Sequence, residues 1–163
     1  MDFKIYVIKG KENAGKTSTC WKLLHKLKKH IDYIEYWELK SANAHFDSER
    51  EVYINQKGQM CDFIIIFKTK DTHQKIAIIS AGDVDWLLKK DIFFALYRDV
   101  SHIICCSRTI NRLHSTMHML KKYNQHIIWY PDITFVKNDL VLKQKYEEEI
   151  SEKIYQQLKE SVL

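Results

Sequence analysis

The stretch Gly10-Lys11-Glu12-Asn13-Ala14-Gly15-Lys16-Thr17 constrains this chain more than any other, because it satisfies G-x-x-x-x-G-K-[ST] at every fixed position. The flanking sequence has the form such a loop needs. Residues 3–8 alternate and then run apolar, as a buried first strand does, and Cys20, Trp21, Leu23, Leu24 and Leu27 recur behind the motif at helical spacing. Glycines at 10 and 15 let the backbone turn sharply and aim its N–H groups inward. Together with the positive end of the following helix, those groups form a concave site for anionic oxygens, to which Lys11, Glu12, Asn13 and Ala14 contribute backbone. Lys16 then reaches the β- and γ-phosphates of a bound nucleotide, Thr17 offers its hydroxyl to Mg²⁺, and Ser18 donates to the α-phosphate. The competing reading is a glycine-bearing strand–helix turn that binds nothing.

On these residues the chain resembles the P-loop NTPases of the Walker A type, over about its first thirty positions. The resemblance implies ATP and Mg²⁺ as ligands. The rest of the chain is argued from its own residues.

At 163 residues the chain has the size of a single domain, 1–163, able to bury a core. Four glycines and one proline leave little room for linkers. The formal charge of +5 suits anionic small molecules and leaves nucleic acid as a weaker alternative, since the densest basic run, Lys26-Leu27-Lys28-Lys29-His30, falls where cations favour a helix C-terminus. Cys20, Cys61, Cys105 and Cys106 form no C-x-x-C pair and read as small core hydrophobes in a reducing compartment. Asp2 and Lys4 interrupt any apolar leader, and no apolar run is long enough for a membrane span, so the expected location is cytoplasmic.

Along the chain, a first helix over 15–30 is followed by a strand over 33–39. The polar stretch 41–56 reads as a weak helix or a loop. Apolar runs at 62–67 and 75–80, joined by the short polar segment 70–74, form a β-hairpin. Further elements are a helix over 83–99, a strand over 102–106, a helix over 109–123, a strand over 125–130 stopped by Pro131, and a helix over 143–163. In the last of these, Tyr146, Ile150, Ile154, Leu158 and Val162 make a core-facing stripe. Strands alternating with helices define an α/β protein, a three-layer α/β/α sandwich with a mainly parallel central sheet. Ligands then bind beyond the carboxyl ends of the strands.

That rule selects the remaining candidates. Asp83, three residues beyond Ser80, is the acid that would hold Mg²⁺ with Thr17; Asp85 is a substitute, and capping the next helix is the plainer role for Asp83. Gly82 would let the backbone pass close to a ligand. Arg108 and Arg112 lie one turn apart and could clamp a phosphoryl group, Arg108 being the better placed; this faintly resembles the arginine-bearing lid of nucleotide and small-molecule kinases. Glu38 closes the second strand, where an acid accepts the acceptor hydroxyl's proton in deoxynucleoside kinases; Glu35 competes for that assignment. His114 and His118 lack a third metal ligand, and Trp37, Trp86, Trp129 and Tyr130 read as packing residues. No Asn-Lys-x-Asp motif is present, which favours ATP over GTP.

The expectation is therefore a phosphotransferase, loosely similar to small nucleoside, nucleotide or metabolite kinases, with Lys16, Asp83, Arg108 and Glu38 in the catalytic roles. The alternative is a nucleotide-hydrolysing switch or assembly ATPase that acts through a protein or DNA partner.

Overall fold

A computed structural model describes residues 2–109, 113–134 and 136–163. Among them a six-stranded sheet has the order β2-β5-β6-β7-β1-β8, built from β1 (Lys4–Lys9), β2 (Ile31–Leu39), β5 (Phe63–Thr69), β6 (Lys75–Ile79), β7 (His102–Ser107) and β8 (Ile127–Trp129). A separate two-stranded ribbon joins β3 (His45–Asp47) to β4 (Val52–Ile54). Four α-helices accompany the strands among the described residues: α1 (Lys16–Leu27), α2 (Asp85–Tyr97), α3 (Thr116–Leu120) and α4 (Leu140–Ser161).

Alternation along the central strands sorts the core into two layers. Tyr6 and Ile8 of β1 face α1 and α4, packing with Leu23, Leu27, Ile150, Ile154 and Leu158. Ile5 and Val7 face the other way, toward Leu88, Ile92 and Ala95 of α2 and Met119 and Leu120 of α3. Every residue of β7 is buried, as expected of a strand covered on both faces.

The sheet is mixed. β1 runs parallel to β7 and β8, and β6 parallel to β7, whereas β5 is antiparallel to both β2 and β6. The cause is chain length: residues 70–74 are too few for the crossover that a parallel pair requires, so β5 and β6 close as the expected hairpin.

Three expectations change. The stretch 41–56 is neither helix nor plain loop but the β3–β4 ribbon. Its turn is held by Asp47, which accepts from the Glu49 and Arg50 amides and from Arg50 Nε. Val52 is buried, and the Tyr53 ring packs beside Trp21 and Trp37, so the ribbon is fastened to the body by aromatic contacts rather than by length. Among the described residues of the stretch 109–123, the expected helix is α3, opened by Ser115, whose side chain accepts from the His118 amide at 3.1 Å, and continued as a 3-10 turn over Lys121–His126. The expected arginine clamp is half visible, since Arg112 lies outside the described residues. The last helix begins earlier than its stripe implied, at Leu140, with Asp139 capping the Leu142 amide at 3.0 Å. All four cysteines are free and buried. Among the described residues no helix is long and apolar enough to cross a membrane.

His102, at the start of β7, is buried and hydrogen-bonded through Nδ1 to the Tyr6 hydroxyl at 2.9 Å. Burial, aided by Lys4, pushes its pKa down to about 4. The unfolded chain takes up this proton near pH 6.5, the folded chain only near 4, so the contribution of His102 is full above 6.5 and falls as the pH drops toward 4. Urea titrations across this range should show a loss of up to about 3 kcal/mol that a His102→Gln variant lacks. Leu158→Ala should cost about 3 kcal/mol by the same assay, whereas Val141→Ala, 79% exposed before substitution, should cost almost nothing.

Candidate functional site

The Gly10–Thr17 loop joins β1 to α1 and is anchored on both sides. The Gly10 amide donates to Ser107 O of β7 at 3.1 Å, and the Ile133 amide donates to Lys9 O at 2.9 Å. Within the loop the Ala14 amide closes a turn onto Lys11 O, and Asn13 and Gly15 take positive φ values of 60° and 107°. For Gly15 the glycine is required by that dihedral, and a Cβ there would stand 2.4 Å from Glu147 Oε1, so that the Glu147 side chain would have to shift. Gly15 is also the N-cap of α1, without a side-chain cap and with no acid in the first turn. The first amides of the helix therefore lack the usual intramolecular acceptor.

Lys16 is 8% exposed, and its ammonium folds back over the loop to donate to Gly10 O and Lys11 O, both at 3.0 Å. Thr17 Oγ1 donates to Asp62 Oδ1 at 2.8 Å, and Ser80 Oγ donates to the same oxygen at 2.9 Å while accepting the Phe63 amide. Ser18 Oγ donates to Glu147 Oε2 of α4 at 2.7 Å. Burial raises the Glu147 pKa above the usual carboxylate value, and the Ser18 bond only partly offsets that.

Asp83 stands beside Lys16 rather than Thr17. Its Oδ1 accepts from Arg108 Nε at 3.0 Å and stands 3.8 Å from Lys16 Nζ; Arg108 also approaches Glu12 at 3.8 Å. Asp83 therefore brings Lys16 and Arg108 together, but the partner of Thr17 is Asp62. Nor does Asp83 cap α2, whose N-cap is Val84. Gly82 is explained by protein contact rather than by a ligand: a Cβ there would fall 1.9 Å from Cys106 O of β7.

A pocket of about 630 Å³ opens over the loop. Besides residues 12–18 it is lined by Arg50 from the β3–β4 turn, Gln59 and Met60 from the segment after β4, Asp62, Ser80, Asp83, and Lys143 and Glu147 from α4. Glu38 is not among its walls. The Tyr36 hydroxyl and Lys40 hold its carboxyl below the ordinary value; Lys40 bridges it to Asp91 of α2, and Tyr36 packs on Phe94. Glu35 is likewise engaged elsewhere, with Lys75 at 2.9 Å and Arg98 at 3.3 Å. His114 approaches Asp85 at 3.9 Å, and among the described residues no group of three His, Cys, Asp or Glu could hold a metal ion unaided.

The residues that sequence reasoning missed are Asp62, Arg50, Lys143 and Glu147. Only Asp62 carried a signal, an acid abutting an apolar run. The strand-end rule passed over it because Asp62 precedes its strand.

Comparison with known proteins gives no match: no family model, no curated protein and no solved structure resembles the chain significantly.

Gly82→Ala should destabilise the protein by about 3 kcal/mol, read as a shift in urea midpoint, because the backbone of β7 offers the new methyl no space.

Proposed function

We propose that the chain binds a magnesium nucleoside triphosphate, ATP in preference to GTP, on the Gly10–Ser18 loop and transfers its terminal phosphoryl group to a small molecule or nucleotide, as P-loop kinases do. The observation that carries this reading is the pairing of Thr17 with Asp62 beside a buried Lys16. Thr17 gives its single hydroxyl proton to Asp62, which leaves its oxygen lone pairs free for a cation while the carboxylate stays acceptor-only. The uncapped start of α1 offers amides to phosphate oxygens, and Lys16 has two carbonyl hydrogen bonds and the longer Asp83 contact to release.

The charges around the pocket favour a metal-bound ligand over a bare one. Lys16, Arg50 and Lys143 face Glu12, Asp62, Asp83 and Glu147, so an unaccompanied polyphosphate meets more carboxylates than cations. Thr17 and Asp62 would hold Mg²⁺, with Asp83 beside Lys16, and the ion would supply the missing positive charge. Arg108 is paired with Asp83 just outside the pocket's walls, and turning in from that pair it would stabilise charge on a transferring phosphoryl group.

A second reading, a nucleotide-dependent ATPase acting through a partner protein, is favoured by two observations. Glu38, the expected proton acceptor, lies outside the pocket. And α2, which opens two residues after Asp83, exposes Trp86, Phe93 and Tyr97 along one side.

Calorimetric titration with ATP and GTP, with and without Mg²⁺, tests the shared premise. Mg²⁺ should strengthen ATP binding, and Lys16→Ala should weaken it by roughly tenfold to a hundredfold. Asp62→Asn should diminish the Mg²⁺ effect by roughly tenfold and Asp83→Asn by less. Equal losses would return the metal-organising role to Asp83. Turnover that rises with one small acceptor favours the kinase; turnover that rises only with a protein favours the second reading.

A further inference from the structure

The proposal concerns Glu147 and rests on the nucleotide reading above. Glu147 projects from the second turn of α4, is 2% exposed, and lies against the loop rather than in solvent. Its two oxygens have distinct contacts: Oε2 takes the Ser18 hydroxyl at 2.7 Å, and Oε1 stands against Gly15, occupying the space a side chain there would need. A buried carboxylate is costly to desolvate. One hydroxyl and the more distant positive charges of Lys143 and Lys22 are a modest return for that cost.

Two physical facts make this contact incompatible with a phosphate at Ser18. A serine hydroxyl has one proton, so Ser18 cannot donate to Glu147 and to a phosphate oxygen together. And a carboxylate beside a phosphate, in a pocket partly shielded from water, is a like-charge pair whose repulsion is screened less than at the surface. The other half of the loop has no such obstacle. Lys16 donates to backbone carbonyls with Asp83 3.8 Å away, and Thr17 has already directed its proton to Asp62, the two carboxylates flanking a position that Mg²⁺ would share.

We propose that Glu147 is a ligand-selecting residue that competes for the Ser18 end of the loop, so that two phosphates at the Lys16–Thr17 end bind unopposed while a third, at Ser18, must displace the carboxylate. Glu147 thereby lowers the affinity for a triphosphate chain relative to a diphosphate one.

The test is a set of calorimetric titrations of the full chain with magnesium pyrophosphate, magnesium tripolyphosphate and magnesium ATP. Glu147→Gln is isosteric and removes the charge; Glu147→Ala also frees Ser18. In Glu147→Gln, ATP and tripolyphosphate should each bind roughly tenfold tighter, with pyrophosphate changed by less than about twofold, the scale of one charged hydrogen-bonding contact. Glu147→Ala should shift the same two ligands in the same direction. Equal tightening of all three ligands would overturn the proposal, because the carboxylate would then act as a diffuse charge and not as a competitor at one phosphate. Unchanged or weaker ATP binding in Glu147→Gln would also overturn it, the latter by showing that Glu147 helps to hold the ligand. If the parent protein binds none of the three, or binds them equally well as Lys16→Ala, the phosphate-loop reading itself fails and the role of Glu147 falls with it. Lys16-dependent binding that ignores Glu147 removes the selecting role alone.

Discussion

The reversal of β5 is the constraint on which the site depends. In a parallel strand the C-terminal end reaches the edge where the loop lies; in β5, running against its neighbours, it is the N-terminal end that arrives there. Asp62 immediately precedes that end, and for this reason its carboxylate meets Thr17 and Ser80. The reversal follows from a connection too short to cross over the sheet. A five-residue polar turn some distance from the pocket thus decides which acid stands beside the loop.

Around this frame the site is an arrangement of charges that hold one another in place. Asp83 sits between Lys16 and Arg108, Glu12 extends the pairing outward, and Glu147 closes the loop from α4. Three of the elements involved are remote in sequence from residues 10–18, and each is seated by close packing. Ile150, Ile154 and Leu158 hold α4 against α1; Val52 and Tyr53 hold the ribbon that presents Arg50; Gly82 lets the β6–α2 connection press against β7. The geometry of the charged groups is thus a consequence of the core, since exposed ion pairs by themselves are too weak to impose it.

The central strands and main helices were legible because their signals are local. The continuous apolar runs of β5, β6 and β7 and the stripe of α4 declare themselves within a few residues, and the loop motif is fixed by spacing alone. The ribbon was not legible: two three-residue strands are too short for a period-2 pattern, and what holds them is contact with Trp21 and Trp37 from other parts of the chain. Glu38 illustrates the opposite failure. Its place at the end of β2 was read correctly, but side chains alternate between the faces of a strand, and Glu38 shares the α2 face with Tyr36. Position along a strand can be read from sequence; which helix covers a given face cannot.

By itself, then, the sequence determined the Gly10–Thr17 loop, the strand and helix that flank it, the buried character of its cysteines, and an α/β alternation of elements, all properties set by residue spacing within one or two turns of chain. Tertiary structure alone decided that Thr17 is answered by Asp62 rather than Asp83, that Arg108 reaches the loop while Glu38 does not, and that Glu147, well over a hundred residues away, lies against Gly15. These are pairings between distant segments. They depend on strand order and on which apolar faces find each other, quantities that no local pattern encodes.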